Sequence, residues 1–138
     1  MADRYYDLNT YLRNRFGCRV QKISIDAGLT CPNRDGSLSS AGCIYCNQRG
    51  SGTGAFTKGL SITDQINISM EHLGRRYKAK KFIAYFQSFS NTYAPVETLK
   101  QLYDEALAVD GVVGLAVGTR PDCISDEILS LLKSYSPK

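Results

Sequence analysis

The pattern of apolar and polar positions predicts a short helix followed by three strand–helix units. Residues 6–16 place apolar side chains near helical spacing, which is typical of a short amphipathic helix. Three short apolar runs, at 20–26, 81–87 and 112–117, have the length and residue types of strands. Apolar strands that alternate with helices indicate an α/β fold with a parallel sheet covered by helices.

The predicted helices that follow the strands have recognisable start signals. Ser61 and Asp64 resemble a capping box, Pro95 suits the first turn of a helix, and Ser125 can cap the last helix. Each strand–helix–strand crossover is expected to be right-handed. Helices are therefore expected to begin near these three positions.

Each predicted strand ends in polar or ligand-like residues. The first leads into a loop, at about 27–56, that is rich in Gly, Ser and Asn, and the others lead into 87–92 and 118–123. Functional sites of parallel α/β folds lie at the carboxyl ends of the strands. A long loop without regular structure in a compact domain is usually functional. The pattern predicts a site at this edge of the sheet.

Three strands form only a small sheet, whereas a complete βα barrel takes about 250 residues. The third strand would have an unpaired edge. We therefore expect residues 1–138 to be the N-terminal part of a larger enzyme, with the remainder of the barrel absent from this chain.

The net charge of +4 is unevenly distributed. Residues 1–81 carry 13 of the 17 Lys and Arg but only 6 of the 13 Asp and Glu. A basic half can attract phosphate, and its densest run is 75–81. The alternative for this run is a solvated helix end, where cations favour the helix dipole.

The five cysteines are odd in number and unevenly spaced, which does not suggest a disulfide framework. The polar N-terminal segment is not a secretory signal, and no apolar run is long enough to span a bilayer. We expect a cytoplasmic protein with reduced thiols and no membrane partner.

Three cysteines, Cys31, Cys43 and Cys46, lie in the loop after the first strand. Three ligands suit a metal centre with an open coordination position. Thiolates at this spacing can bind zinc or an iron–sulfur cluster, and spacing alone leaves both metals open. Zinc would need a fourth ligand, for which the candidates are Cys18, Cys123 and His72. The alternative for Cys18 and Cys123 is a role as small apolar residues.

The ending Cys-x-aromatic-Cys resembles the cluster motif of the radical S-adenosylmethionine (SAM) superfamily. The usual first gap there is three residues, whereas eleven separate Cys31 from Cys43. The long gap resembles that of the bacterial YhcC-type subfamily, which is similar to the radical SAM domain of the Elongator catalytic subunit. The segments that carry this resemblance are 5–9, 22–28, 31–36, 42–47, 50–52 and 118–122.

The resemblance implies a partial (βα)6 TIM-like barrel, of which this chain supplies the first three units. Cys31, Cys43 and Cys46 would each ligate one iron of a 4Fe-4S cluster, and SAM would chelate the fourth iron. One electron would then cleave SAM to a 5′-deoxyadenosyl radical that abstracts hydrogen from a substrate carbon. This chemistry implies an electron donor such as a flavodoxin or ferredoxin.

The resemblance also implies contacts to SAM, although it identifies no catalytic residue. Tyr45 occupies the aromatic position that packs near the adenine. Gln87, Ser88 and Asn91 are candidates for binding the amino group, although no Gly-Gly-Glu sequence is present. The kinship with Elongator and the basic half favour tRNA or another nucleic acid as substrate.

Arg34 and Arg120 remain open between two roles. Each can anchor a carboxylate or phosphate, or form an ordinary ion pair with Asp35 or Asp122 respectively. Two alternatives to an active enzyme also stay open. One is a zinc-binding structural module, and the other is a cluster-binding fragment without turnover.

Overall fold

The computed structural model describes residues 4–136, so the ends of the predicted 1–138 domain lie outside the described residues. The fold is α/β, as the sequence predicts, with seven main elements in the described part of the chain. In chain order these are α1 (Leu8–Phe16), β1 (Val20–Ile25), α2 (Ile62–Tyr77), β2 (Lys81–Phe86), α3 (Val96–Ala108), β3 (Val112–Val117) and α4 (Asp126–Ser134).

The three strands form one parallel sheet in the order β1-β2-β3. Val20 pairs with Lys81 at the start of β1, and Ile25 pairs with Phe86 at its end. β2 and β3 pair in parallel up to Val117, with a register shift near Phe82. The carboxyl ends of all three strands therefore meet at one edge of the sheet.

The capping residues predicted from the sequence are confirmed. Ser61 accepts a hydrogen bond from the Asp64 N–H at 3.0 Å, and Ser125 accepts one from Ile128 at 3.3 Å. The N–H of Leu99 donates to the Pro95 carbonyl at 3.0 Å in the first turn of α3. The two serine side chains satisfy donors of the first turn that have no partner inside the helix, whereas the Leu99 bond is the first regular bond of α3.

The apolar core lies between the sheet and one layer of helices. β2 contributes Phe82, Ala84 and Phe86 to this core, which continues into α2, α3 and α4. Tyr103 of α3 is fully buried, and its ring packs edge-on against Phe86 at a centroid distance of 5.1 Å. Burial raises the pKa of Tyr103 to about 12.

The opposite face of the sheet is polar and more open. Lys22 is exposed, and its Nζ lies 4.7 Å from the centre of the Tyr85 ring. Ser24 Oγ donates to Gln87 Oε1 at 3.2 Å. These side chains line an open groove of about 600 Å³ that α1 borders. Every residue of β3 is only half-buried. Parallel sheets are usually covered on both faces, so the described residues leave one face and one edge incompletely covered.

No helix within residues 4–136 combines the length and the apolar character that crossing a bilayer requires.

Candidate metal centre

A buried carboxylate closes the base of the cysteine loop, which we define as residues 27–56. Asp26 is 3% exposed, and its carboxylate accepts from the N–H groups of Gly28 at 3.2 Å and Phe56 at 3.4 Å. Gln65 of α2 exchanges two hydrogen bonds with the Asp26 backbone, at 2.9 and 2.8 Å. One carboxylate therefore holds both ends of the loop. The contact between Asp26 and Gln65 is not among the predictions from the sequence, although a glutamine on the buried face of α2 is a detectable signal.

The three predicted ligands are distributed between the base and the tip of this loop. Cys31 is buried near the base, and its carbonyl accepts from the Arg34 N–H at 2.9 Å. Cys43 and Cys46 are half-buried, and one turn joins them through a 3.0 Å bond from the Cys46 N–H to the Cys43 carbonyl. Gly42 enters this turn with a φ of 76°, which favours glycine. All three cysteines are free thiols.

Hydrogen-bond donors face two of the three sulfurs. Asn33 Nδ2 lies 3.1 Å from Cys43 Sγ, and Ser51 Oγ lies 3.7 Å from Cys46 Sγ. Two hydrogen bonds lower the pKa of the Cys43 thiol, and the bond from Asn33 has a larger effect than the bond from Tyr45. Because the thiolate is the form that binds metals, these donors favour metal binding.

Within residues 4–136, no group of three His, Cys, Asp or Glu side chains converges closely enough to hold a single metal ion. A cluster makes a different demand, because each thiolate binds its own iron and the sulfurs need not meet at one point. The donor set, three free thiols with donors beside two sulfurs, fits a soft, thiolate-bound group.

The β2–α3 loop, residues 87–95, lies beside the cysteine loop at the same edge. Four of its polar residues are at most 1% exposed, namely Ser88, Ser90, Asn91 and Thr92. The Ser90 N–H donates to the Thr30 carbonyl at 3.2 Å, and Asn91 Nδ2 donates to the Gly118 carbonyl at 2.9 Å. The β2–α3 loop therefore connects the cysteine loop to the end of β3.

The predicted SAM contacts occupy different environments along this edge. Tyr45 is 84% exposed at the tip of the cysteine loop, while Gln87 is half-buried on the open face of the sheet. Ser88 and Asn91 are fully buried, and Ser88 Oγ and Asn91 Oδ1 have no hydrogen-bond partner in the described part of the chain. The structure brings Gln87 and Ser88 to the same edge as the cysteine loop. Their roles toward SAM stay predictions.

Among the described residues, Arg120 forms an ion pair with a nearby aspartate, whereas Arg34 does not. Arg120 forms a bidentate pair with Asp122, at 2.8 and 2.7 Å, which raises the pKa of Arg120 and lowers that of Asp122. Arg34 does not form the ion pair with Asp35 that was one of its two alternatives. The Asp35 carboxylate accepts from the Ser37 N–H at 2.9 Å, whereas Arg34 donates to backbone carbonyls.

The remaining candidates lie outside the cysteine loop. Cys123 is buried, as predicted for a small apolar residue, whereas Cys18 is half-buried. His72 is exposed on α2. The basic run contains the end of this helix, where Arg75 pairs with Glu71, in agreement with a solvated helix end.

The chain is similar to several curated proteins. It is 42% identical over 135 residues to the uncharacterized protein YtqA of Bacillus subtilis (strain 168). The matched region covers 98% of this chain and 42% of YtqA. It is 39% identical over 124 residues to protein YhcC of Escherichia coli (strain K12), over 90% of this chain and 39% of YhcC.

A third relative is the uncharacterized protein MJ0486 of Methanocaldococcus jannaschii, which is 36% identical over 127 residues, 91% of this chain and 38% of that protein. The chain thus spans about two fifths of the length of the curated relatives it matches. It matches no protein-family model and no solved structure.

Proposed function

We propose that this chain is the cluster-bearing part of a radical SAM enzyme. The observation that carries the proposal is the cysteine loop at the carboxyl edge of the parallel sheet. Three free thiols lie on this one loop, and Cys43 and Cys46 each have a hydrogen-bond donor beside the sulfur. Hydrogen bonds to the sulfurs are among the features that tune thiolate-bound metal centres.

Cys31, Cys43 and Cys46 would hold a 4Fe-4S cluster. When bound, such a cluster supplies the electron that cleaves SAM to a 5′-deoxyadenosyl radical. The protein's own work is to hold and orient the thiolates. Asp26 fixes the base of the loop, while Asn33 and Ser51 orient the sulfurs at its tip. Burial of Cys31 keeps water away from the thiol nearest the core.

The side chains at the end of β2 support a SAM site next to these thiols. Ser88 Oγ and Asn91 Oδ1 are buried acceptors with no partner among the described residues, and an ammonium group is a donor that could satisfy them. Gln87 Oε1 accepts one hydrogen bond from Ser24 and has a second lone pair that an ammonium group could use. The exposed Tyr45 ring offers an apolar face for an adenine.

Three features of the sheet support a partial (βα)6 barrel in a protein as long as the curated relatives. One apolar core joins α2, α3 and α4 to the sheet, the other face of the sheet is polar, and β3 is half-buried throughout. The curated relatives are more than twice as long as the matched region. A further strand would pair with β3, and the polar face would line the interior of the barrel.

The substrate and partners belong to the same proposal. Lys22 and Arg19 line the open groove beside the polar Ser24, which suits an anionic substrate such as tRNA or another nucleic acid. The reaction also needs an electron donor such as a flavodoxin or ferredoxin.

The test is formation of 5′-deoxyadenosine. Protein purified without oxygen is reduced with dithionite and incubated with SAM, and the nucleoside is quantified by mass spectrometry. We expect formation by the wild type and by Cys123→Ala, but not by Cys46→Ala. A cluster-loaded protein that forms no 5′-deoxyadenosine would contradict the enzymatic proposal and leave a cluster-binding fragment.

A further inference from the structure

We propose that Arg34 and Phe89 form a positioning lock that fixes the tip of the cysteine loop, residues 43–46, relative to the end of β2. The lock is a geometric feature of the chain, and its importance for a metal centre rests on the function proposed above. It assigns Arg34 a role that differs from both roles its sequence suggests, an anchor for an external anion and an ion pair with Asp35.

Arg34 contacts the backbone on both sides of the tip. Its NH2 group donates to the Cys46 carbonyl at 3.2 Å and to the Asn47 carbonyl at 2.5 Å. Its guanidinium also lies against Gly42, where an added Cβ would come within 3.0–3.1 Å of the guanidinium atoms. Gly42 precedes Cys43 directly, so one guanidinium touches the residue before the tip and the carbonyls at its end.

Phe89 supports Arg34 from the β2–α3 loop. The ring centre of Phe89 lies 5.6 Å from Arg34 Cζ, in the range of a cation–π contact. The Phe89 N–H donates to the Gly50 carbonyl at 3.0 Å. The ring also fills the space beside Gly50, where a Cβ would lie 2.6 Å from ring carbons. Phe89 therefore packs between Arg34 and Gly50 of the cysteine loop.

The backbone of Phe89 indicates that this packing is imposed by its surroundings. Its φ is 62°, in the left-handed region that a bulky residue rarely adopts. Such conformations cost free energy and persist where neighbouring contacts determine them, often at functional sites. Here those contacts are the bond to Gly50 and the cation–π contact with Arg34.

The charge of Arg34 points to an anionic group near the tip. Arg34 is half-buried, and no Asp or Glu within residues 4–136 forms an ion pair with it. A partly desolvated cation is stabilised by a nearby anion. A metal cluster held by three thiolates would provide negative charge beside the Cys46 carbonyl that Arg34 binds.

Lysine can keep this charge but cannot replace the guanidinium. A planar guanidinium can stack on a ring while donating to two acceptors, whereas an ammonium group is a point charge. Arg34→Lys therefore removes the contacts of the guanidinium while it keeps the positive charge. Phe89→Leu gives a second variant that keeps an apolar side chain and removes the ring. Arg75→Lys is the matched control, because Arg75 pairs with Glu71 on the exposed surface of α2.

The first readout is hydrogen exchange of the metal-free, reduced protein. We expect amides in residues 42–50 to exchange about tenfold faster in Arg34→Lys and Phe89→Leu, equivalent to about 1.4 kcal/mol of local opening free energy. Amides of β2 and the Arg75→Lys control should keep wild-type rates. Wild-type exchange at 42–50 in both lock variants would overturn the proposal, whether or not the protein binds a metal.

The second readout is spectroscopic and uses protein loaded with its cluster. We expect Arg34→Lys to retain iron but to change the electron paramagnetic resonance spectrum and the midpoint potential of the reduced cluster, because both respond to the surroundings of the sulfurs. A merely structural role would lower thermal stability and leave these signals unchanged. A wild type that binds no cluster would refute the proposed function, while hydrogen exchange would still decide the lock.

Discussion

The two loops at the carboxyl edge of the sheet differ in how their shape is maintained. The β2–α3 loop buries Ser88, Ser90, Asn91 and Thr92, and the last three of these bond to residues 118–123 that follow β3. The cysteine loop is closed firmly at its base, but its tip exposes Ile44 fully and Tyr45 by 84%. Both loops begin at the end of a parallel strand, yet the cysteine loop has an exposed tip whereas the polar residues 88 and 90–92 of the other loop are buried.

The difference separates a buried, hydrogen-bonded loop from the loop of the proposed metal centre. A buried polar loop has few alternative conformations, because its backbone groups must find partners inside the protein. The tip of the cysteine loop relies on a few polar contacts, chiefly from Asn33, Arg34 and Ser51. We infer that the β2–α3 loop is a rigid support, and that the thiols at the tip would gain their final order from the proposed metal group.

The largest expected effect is loss of the metal from the cysteine loop. Cys31→Ala, Cys43→Ala and Cys46→Ala should each abolish the brown colour and the bound iron, because each removes one of the three thiolates. Cys18→Ala and Cys123→Ala should keep both. Iron and sulfide analysis of protein purified without oxygen checks this. Loss of iron from Cys18→Ala as complete as from Cys46→Ala would contradict the assignment.

A steric substitution tests the contact between the two loops. A Cβ at Gly52 would lie 1.7 Å from Ser88 Oγ and 2.7 Å from Ser88 Cβ. We expect Gly52→Ala to lower the free energy of unfolding by about 1–3 kcal/mol, as overpacking does. Adding Ser88→Gly should recover part of this loss, as a double-mutant cycle in urea would show.

Gly114 provides the control for this substitution. A Cβ there meets nothing within 4 Å, so Gly114→Ala should change the free energy of unfolding by no more than about 0.5 kcal/mol. Equal losses at Gly52 and Gly114 would show that the close approach of the two loops has no energetic consequence.

Tyr103 of α3 binds the backbone of the β2–α3 loop through a buried hydrogen bond. Its hydroxyl donates to the Asn91 carbonyl at 2.5 Å. Tyr103→Phe should lower the free energy of unfolding by about 1 kcal/mol, because a buried acceptor loses its donor. Urea unfolding at neutral pH measures this change, and a Tyr103→Phe variant as stable as the wild type would contradict it.

The same residue gives a pH dependence. Burial raises the pKa of Tyr103 to about 12 in the folded protein, whereas an unfolded tyrosine has a pKa of about 10. Its stabilising contribution is present below about pH 10 and is lost as the pH rises through about 12, by an amount on the order of 3 kcal/mol. This part of the alkaline loss should be absent in Tyr103→Phe.

The smallest expected effect on stability is at the exposed tip. Because Tyr45 is 84% exposed, Tyr45→Ala should leave the free energy of unfolding within about 0.5 kcal/mol of the wild type. The same variant should bind SAM more weakly in equilibrium dialysis. Unchanged SAM affinity would remove Tyr45 from the proposed adenine contact without affecting the cysteine assignment.

The regular elements were largely predictable because their signals are local. Apolar runs placed the three strands within a residue of their observed ends, and Ser61, Pro95 and Ser125 marked the helix starts. The position of the cysteine loop followed from the same pattern. Its glycine content and its three cysteines are visible in the sequence, so the loop could be identified as a candidate site without any knowledge of tertiary contacts.

The internal geometry of the site was not predictable, because it depends on contacts between distant residues. Asp26 meets Gln65 across 39 positions, and Arg34 meets Phe89 across two loops. The alternative ion pair of Arg34 with Asp35 does not form, and the Asp35 carboxylate instead accepts from the Ser37 N–H in its own turn. The closeness of Arg34 and Asp35 in the sequence does not predict their pairing, because a backbone N–H competes for the Asp35 carboxylate.

The most direct test of the central claim is the metal content of wild-type protein purified without oxygen. A thiolate-bound cluster predicts a brown protein with about four iron and four sulfide per chain, and a paramagnetic signal after reduction. A colourless protein with one tightly bound zinc per chain, and neither iron nor sulfide, would contradict it.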